Sequence, residues 1–391
     1  MEKFRKFEDK ATGKLPFVSA KSPFRPRSTV LRLLDTVLLS GLLRPLVTLV
    51  RLPALLLVLL CLRVNSLAVS LVFQCLPPLR RLLLRHLHCL ACRVALWLLG
   101  VWWIRSQSFH ADSHMRCKRS IRHILGLDVD HGDIFVANHI SYLDILYLGF
   151  RYAPTFAMLP PKSHGIPDGW VIPCDTFGAL MYTLFPKKSR LQAECTPLQK
   201  VVQQCVEGRS GPVVLFPEGT TTNGECILKC REGLLDNILQ VKDTLRPIVF
   251  SYSWSRRNPS LTVDPPVRHV LTMLGNMYCS MSVSQLLDSP SFSMYLQERN
   301  RKRRGGEPTD PVDEKDPDQV QAALGAWLDS TRKLMCDFGK MTDSNLTAED
   351  KDEFMEYYRE EQKLARAKNS KASTSSYEAV TSLGAEKNKQ D

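Results

Sequence analysis

Apolar residues are spread along this chain in three regimes. From Leu31 to Ile104 they are nearly continuous. Leu52–Leu62 is a solid apolar run, Val64–Leu79 carries no charge, and Leu87–Ile104 is a second apolar block, interrupted by Arg93 and closed by Trp102-Trp103-Ile104-Arg105. From Asp133 to Val283 the pattern changes to short apolar runs separated by stretches with helical spacing. The runs Asp133–Ala137, Thr155–Leu159, Pro212–Phe216, Arg246–Tyr252 and Met277–Val283 predict strands. Tyr142–Phe150, Phe177–Phe185 and Leu198–Glu207, the last closed by Gly208, predict helices. Strands alternating with helices in this way predict an α/β domain. Beyond Arg299 apolar positions thin out. Val320–Met335 regains a helical period through Leu324, Trp327, Leu328 and Leu334, and Ala348–Lys368 reads as a charge-laced helix with Phe354 and Tyr358 on one face. The rest, to Asp391, has the composition of a disordered tail.

The Leu-rich regime predicts membrane association. Crossing a bilayer takes about 20 apolar residues in a helix. Leu52–Leu76 is long enough if Arg63 is tolerated or paired, a central Arg costing roughly 2.5–3.5 kcal/mol on insertion scales. Leu87–Ile104 could span or lie at the interface with its Trp pair at headgroup depth. Lys3, Arg25 and Arg27 precede the region, and Arg105, Lys118, Arg119 and Arg122 follow it. Both ends therefore prefer the cytosol, which a re-entrant segment or helical hairpin satisfies. The alternative is a Leu/Arg-rich soluble bundle. The expected organisation is a basic lead (1–30), a membrane-embedded helical hairpin (31–105), a catalytic domain (106–298), a charged loop (299–318), C-terminal helices (319–370) and a tail (371–391).

Composition narrows the partners. The formal charge of +12 over 391 residues favours an anionic surface. No nucleic-acid module or stacking-aromatic pattern accompanies the basic residues, so a membrane is the expected partner and nucleic acid is not. The twelve cysteines are scattered and no secretory signal opens the chain, which predicts free thiols. His86-Leu87-His88-Cys89 with Cys92 has a hint of zinc spacing, but no second pair answers it, and no metal site is expected.

Candidate chemistry gathers in two stretches. Asn138-His139-Ile140-Ser141-Tyr142-Leu143-Asp144 sits where a predicted strand gives way to a helix, a place where open α/β sheets often carry reactive groups. With His139 just ahead of the helix and Asp144 in its first turn, the carboxylate can hold one imidazole nitrogen as N–H and leave the other to take a proton. The competing reading is that Ser141-x-x-Asp144 is only a capping box. The second stretch, Phe216-Pro217-Glu218-Gly219-Thr220-Thr221-Thr222-Asn223-Gly224, follows another predicted strand. Its glycines and hydroxyls could expose backbone N–H groups to a phosphate. Alone it would read as an ordinary turn.

Together, Asn-His-x4-Asp and Phe-Pro-Glu-Gly-Thr resemble the glycerolipid acyltransferase superfamily, of the lysophosphatidic acid and lysophospholipid acyltransferase type. Two further blocks are similar: Phe177-Gly178 through Phe185-Pro186-Lys187, and Arg246-Pro247-Ile248-Val249. The resemblance implies a mixed sheet flanked by helices, with an N-terminal membrane-associated helical region. It implies acyl transfer from acyl-CoA, a co-substrate and not a resident cofactor, to the free hydroxyl of a lysophospholipid. 1-acyl-sn-glycerol-3-phosphate, giving phosphatidic acid, is the first expectation. Lysophosphatidylcholine or another lysoglycerophospholipid is the alternative. In this resemblance His139 is the general base and Asp144 orients it. Lys187, Lys188, Glu218, Gly219, Thr220 and Thr221 are the candidate substrate-binding residues. One departure stands out: the family often reads Glu-Gly-Thr-Arg, and Thr221 holds the Arg position. Relatives acting on larger headgroups tend to carry Thr-x-x-Asn there, which fits Thr220 to Asn223. The opening Met1-Glu2-Lys3, Thr12-Gly13 and Pro16-Phe17 is similar to fungal relatives of the endoplasmic reticulum and lipid droplets, which implies those membranes with the catalytic domain facing the cytosol. The readings from other classes are a non-catalytic lipid-binding membrane protein and a metal hydrolase using His139 and Asp144.

Overall fold

A computed structural model describes residues 2–20, 41–72, 77–109, 129–162, 165–185, 195–236, 238–254, 257–286, 291–304, 316–365 and 367. The chain divides into a large unit, Met1–Thr347, and a small one, Ala348–Asp391, which contains a helix over 348–365. In the large unit a short turn of 3-10 helix (Glu2–Phe7) precedes helices α1 (Arg44–Val72) and α2 (Pro77–Leu98) and strand β1 (Val101–Phe109). Then come β2 (Ile134–Ala137), α3 (Tyr142–Tyr152), β3 (Thr155–Met158), β4 (Trp170–Cys174), α4 (Thr176–Leu184), β5 (Thr196–Pro197), α5 (Leu198–Glu207), β6 (Val213–Leu215) and β7 (Cys226–Ile227). The remainder is β8 (Leu245–Trp254), α6 (Pro266–Leu274), β9 (Cys279–Leu286), α7 (Phe292–Arg304), α8 (Pro317–Gly339) and β10 (Thr342–Asp343).

The strands form one mixed sheet in the order β1-β9-β8-β2-β6-β3-β4-β5. Its centre, β8-β2-β6-β3, is parallel, and β9 and β4 turn antiparallel on either side. β2 (IFVA) and β6 (VVL) are buried along their whole length, as strands covered on both faces must be. This is why they read in sequence as unbroken apolar runs rather than as alternation. The core runs through them into α3, where Leu143, Ile145, Leu146 and Leu148 are buried, and on to Leu96 and Leu99 of the α2 region. β7 and β10 pair separately in parallel and bring the end of α8 to the loop after β6.

The Leu-rich region divides differently from its hydropathy. α1 is apolar all round and lies against the domain. Leu55 and Leu62 are buried and Leu52, Val58 and Leu59 pack beside them, while Leu49, Leu56, Leu57, Leu60, Leu67 and Leu71 face outward. The window Gly41–Leu67 is long and apolar enough to cross a membrane. Polar bonds tie the helix to the domain near both ends. The Arg51 guanidinium donates to the carbonyls of Leu274 (3.0 Å) and Asn276 (2.9 Å). Toward the other end, Ser66 Oγ donates to Asp175 (2.7 Å), and Arg63 lies 3.9 Å from the same carboxylate and over the Phe177 ring. Leu87–Ile104 does not stay together as one block. Its first part ends α2, with Cys92, Ala95 and Leu96 buried, and Trp102-Trp103-Ile104 belongs to β1, paired in parallel with β9. Part of this block serves the packing of the domain while Leu90, Trp97, Trp102 and Trp103 stay exposed, a division that hydropathy alone does not make. The predicted loop from Arg299 begins as helix instead: Arg299–Arg304 is the last part of α7.

Candidate active site

The His139 turn is built by side chains that stand in for backbone. β2 pairs with β8 as far as Ala137 and Ile248. One residue on, the Asn138 side chain takes over: its Oδ1 accepts Phe250 N–H (2.7 Å) and its Nδ2 donates to Phe250 O (3.1 Å). An amide side chain here keeps the partner strand hydrogen-bonded while the main chain leaves the sheet, so His139 turns out at the strand's end. Ser141 then caps α3 with the reciprocal bonds of a capping box, Leu143 N–H reaching Ser141 Oγ (3.4 Å) and Ser141 N–H reaching Asp144 Oδ2 (2.8 Å).

The capping reading and the dyad reading hold together. Asp144 Oδ2 accepts Ile140 N–H (2.7 Å) and Ser141 N–H (2.8 Å), and faces His139 Nδ1 at 3.2 Å. Its Oδ1 accepts the hydroxyl of Tyr252, on β8. Asp144 is 0% exposed and His139 3%. A buried carboxylate with these donors is held as an acceptor, which makes Nδ1 the N–H of the imidazole and leaves Nε2 with a lone pair. Thr183 Oγ, on half-buried α4, lies 3.3 Å from Nε2 and donates to it. The ring stacks on Phe216, with centroids 4.2 Å apart. Burial first, then the neighbouring Asp144 charge, raises the Tyr252 pKa well above its ordinary value, so this residue is always a donor to Asp144.

The loop after β6 is fastened to the same turn. Glu218 is 2% exposed, with Oε1 accepting His139 N–H (3.0 Å) and Oε2 accepting Leu228 N–H (3.0 Å). Its carboxylate is turned into the protein and braces the backbone of His139. Thr222 N–H donates to His139 O (2.9 Å), and the Thr221 hydroxyl donates to Leu261 O, whose own residue returns an N–H to Ile140 O (3.0 Å). Gly219 and Gly224 have positive φ, 68° and 81°, and a side chain at Gly224 would press on Ile140. Gly219 is exposed and Thr220 half-buried, so these two face outward. Asn223 does not. It is 6% exposed, and its Nδ2 donates to the carbonyls of Leu15 (2.9 Å) and Val18 (3.0 Å) while its N–H donates to Pro16 O (2.9 Å). The N-terminal segment is thereby strapped onto the loop, with Phe17 buried beneath it and Asn258 Nδ2 holding Ala20 O (3.2 Å). Asn223, the last residue of the Thr-x-x-Asn spacing, therefore serves the fold of this loop.

The structure thus brings together His139, Asp144, Glu218 and Thr221, and adds Tyr252, Thr183 and Asn138. Tyr252 and Thr183 arrive from distant elements, and nothing local in sequence marks them. Lys187 and Lys188 lie outside the described residues. Among the described residues no three His, Cys, Asp or Glu side chains are grouped to hold a metal ion. His88 bonds Leu84 O through Nδ1 (2.9 Å) and Cys92 is packed in the core.

Known proteins share this arrangement of sequence. Residues 112–251 match the acyltransferase family model, a stretch that includes the Asn138–Asp144 turn, the Glu218 loop and most of β8. Over this stretch the likeness to the glycerolipid acyltransferase superfamily is supported by relatives that carry lysolipid acyltransferase names. It is 25% identical over 203 residues to the lysophospholipid acyltransferase LPEAT1 of Arabidopsis thaliana, covering 50% of each chain. It is 31% identical over 119 residues to the lyso-ornithine lipid O-acyltransferase of Pseudomonas aeruginosa, covering 30% of this chain and 43% of the relative. To the putative lysophosphatidic acid:oleoyl-CoA acyltransferase of Schizosaccharomyces pombe it is 33% identical over 106 residues, covering 27% of this chain and 33% of the relative. The matched segments span half or less of the length of each relative.

Proposed function

We propose that this protein transfers a fatty acyl chain from acyl-CoA to the free hydroxyl of a lysophospholipid, and that His139 and Asp144 carry the reaction. The observation that supports it is the buried Asp144–His139 pair, with the second imidazole nitrogen directed at a hydroxyl on α4. The acceptor's O–H takes the place of the Thr183 hydroxyl on Nε2. His139 removes the proton as the alcohol oxygen forms its bond to the thioester carbonyl. The C–S bond then breaks, and the CoA thiolate takes the proton back from the imidazolium. Asp144 keeps the ring in its working tautomer and stabilises its charged form. A thioester is already activated, so no nucleophile on the enzyme is needed.

Glu218 positions the turn through its bond to His139 N–H. Gly219 and Thr220, the outward part of the loop, are assigned to the glycerol-phosphate end of the acceptor, with Lys187 or Lys188 as its cation. 1-acyl-sn-glycerol-3-phosphate is the first acceptor proposed. A larger-headgroup lysophospholipid is the second, because Thr221 supplies no guanidinium at the loop and its hydroxyl is engaged by Leu261 O. The protein is proposed to work on the cytosolic face of the endoplasmic reticulum or lipid droplet, held there by the outward leucines of α1.

The test is transfer of labelled oleoyl chains from oleoyl-CoA to a panel of lysophosphatidic acid, lysophosphatidylcholine, lysophosphatidylethanolamine and lyso-ornithine lipid. Wild type acylates at least one. His139→Ala loses about 10²–10⁴-fold in rate, the usual contribution of a general base, with an unchanged melting temperature. Substantial transfer by His139→Ala contradicts the mechanism. Absence of transfer by wild type to every acceptor favours a lipid-binding role on this fold.

A further inference from the structure

At the end of the sheet away from His139 lies a cavity of about 340 Å³. Ser66 of α1, Arg81 and His88 of α2, Asp175 ahead of α4, and Arg209 and Ser210 ahead of β6 are in its wall. β2, β3 and β6 are parallel, and the cavity meets β3 and β6 at their starts, whereas His139 follows the end of β2. α3 runs between the two places and is roughly 16 Å long at 1.5 Å per residue. A ligand in this cavity is therefore not an acceptor in reacting position.

The wall carries more positive charge than its one carboxylate can balance. Arg81 donates to the carbonyls of Ala153 (2.6 Å) and Tyr152, at the end of α3, and has no carboxylate partner among the described residues. Burial lowers its pKa to about 10, which leaves it charged near neutrality. Arg209 is exposed, likewise without a carboxylate partner among the described residues, and holds a left-handed backbone (φ 48°) just past Gly208. An Arg where glycine is the usual residue bears a conformational cost without an evident return in packing. Asp175 is engaged: Oδ1 takes Gly178 N–H (2.7 Å) and Oδ2 takes Ser66 Oγ (2.7 Å) and Arg63. The exposed Arg209 guanidinium beside the Ser210 hydroxyl, with the buried Arg81 charge behind it, suits an anion with several oxygens such as a phosphate ester.

We propose that this cavity binds a small phosphate-bearing anion, supplied as a soluble phosphate ester or as the headgroup of an anionic lipid entering beside α1. The site is independent of the catalytic reading, since neither His139 nor Asp144 takes part.

Full-length protein in detergent is titrated with glycerol 3-phosphate and with inorganic phosphate by calorimetry. It is also floated with phosphatidylcholine vesicles with and without phosphatidic acid. The variants are Arg209→Gly, which suits the left-handed backbone and removes the charge, Arg209→Lys, Ser210→Asp and His139→Ala. Wild type and His139→Ala bind equally. Arg209→Gly and Ser210→Asp weaken binding about tenfold or more, as loss of a charge-assisted contact predicts, and Arg209→Lys keeps part of it, with no variant melting below wild type. Saturable, Arg209-dependent binding of the soluble esters identifies a free ester as the source. Arg209-dependent flotation confined to vesicles with phosphatidic acid identifies the lipid. Absence of Arg209-dependent binding in both arms overturns the proposal, as does binding that disappears in His139→Ala.

Discussion

Asp144 serves the helix and the imidazole with the same carboxylate. Oδ2 closes the first turn of α3 and holds His139 Nδ1, and Oδ1 is fixed by Tyr252 from β8. Without Tyr252 the carboxylate can rotate and the ring loses its fixed partner. Tyr252→Phe removes only that hydroxyl. A hydrogen bond to a charged group contributes about 1.5–3 kcal/mol, so kcat should fall about tenfold or more, with KM for acyl-CoA unchanged. A kcat equal to wild type would show that the amides alone position Asp144. His139 and Asp144 were legible in sequence because capping and dyad geometry are both local, set within one turn. Tyr252 and Thr183 were not legible, because their partner lies on other elements, more than forty residues away along the chain. Glu218 was legible as a residue but not as a brace, since the direction of its side chain depends on where Leu228 and His139 come together.

Among the elements, the N-terminal strap and α1 are each fixed to the domain by a few polar bonds. Leu15–Val18 is held through three hydrogen bonds made by Asn223. Asn223→Ala removes the two side-chain donors and leaves buried carbonyls unsatisfied, a cost of about 1–3 kcal/mol. Limited proteolysis should then cut within residues 2–20 faster than in wild type, and the melting temperature should drop. An unchanged cleavage rate would mean that Phe17 alone retains the strap. α1 reads as a spanning segment by composition, but polar bonds from Arg51 and from Ser66 tie both its ends to the domain. Under the proposed membrane association, a helix so tied would lie along the bilayer surface with its outer leucines in one leaflet. Spin labels at Leu49→Cys and Leu60→Cys should report equal depth in vesicles. An upright helix would separate them by roughly 16 Å.

At the scale of the whole molecule, three histidines spread through the fold give stability a pH dependence. Burial lowers the pKa of His88, His131 and His269 below the ordinary imidazole value. The unfolded chain therefore binds protons at these sites at a higher pH than the folded one, so stability is full above about 6.5 and is lost as pH falls below it. The melting temperature should decline from pH 7 to pH 5.5, and the decline should be shallower in His269→Gln. A profile in that variant as steep as wild type would assign the effect to other groups.

The elements themselves were readable from the order of residues: fully buried strands as unbroken apolar runs, amphipathic helices by their period, and the strand-to-helix turn that pairs His139 with Asp144 by Asn-His-x4-Asp. These depend on neighbours within a few positions, which the chain order supplies directly. The roles of the Leu-rich region, of Asn223 and of Glu218 depend instead on surfaces brought together from far along the chain, 225 residues apart for Arg51 and Asn276. An apolar helix packs or inserts, and an amide caps a strap or reads a headgroup, according to what stands opposite it, and only the folded chain puts those partners in place.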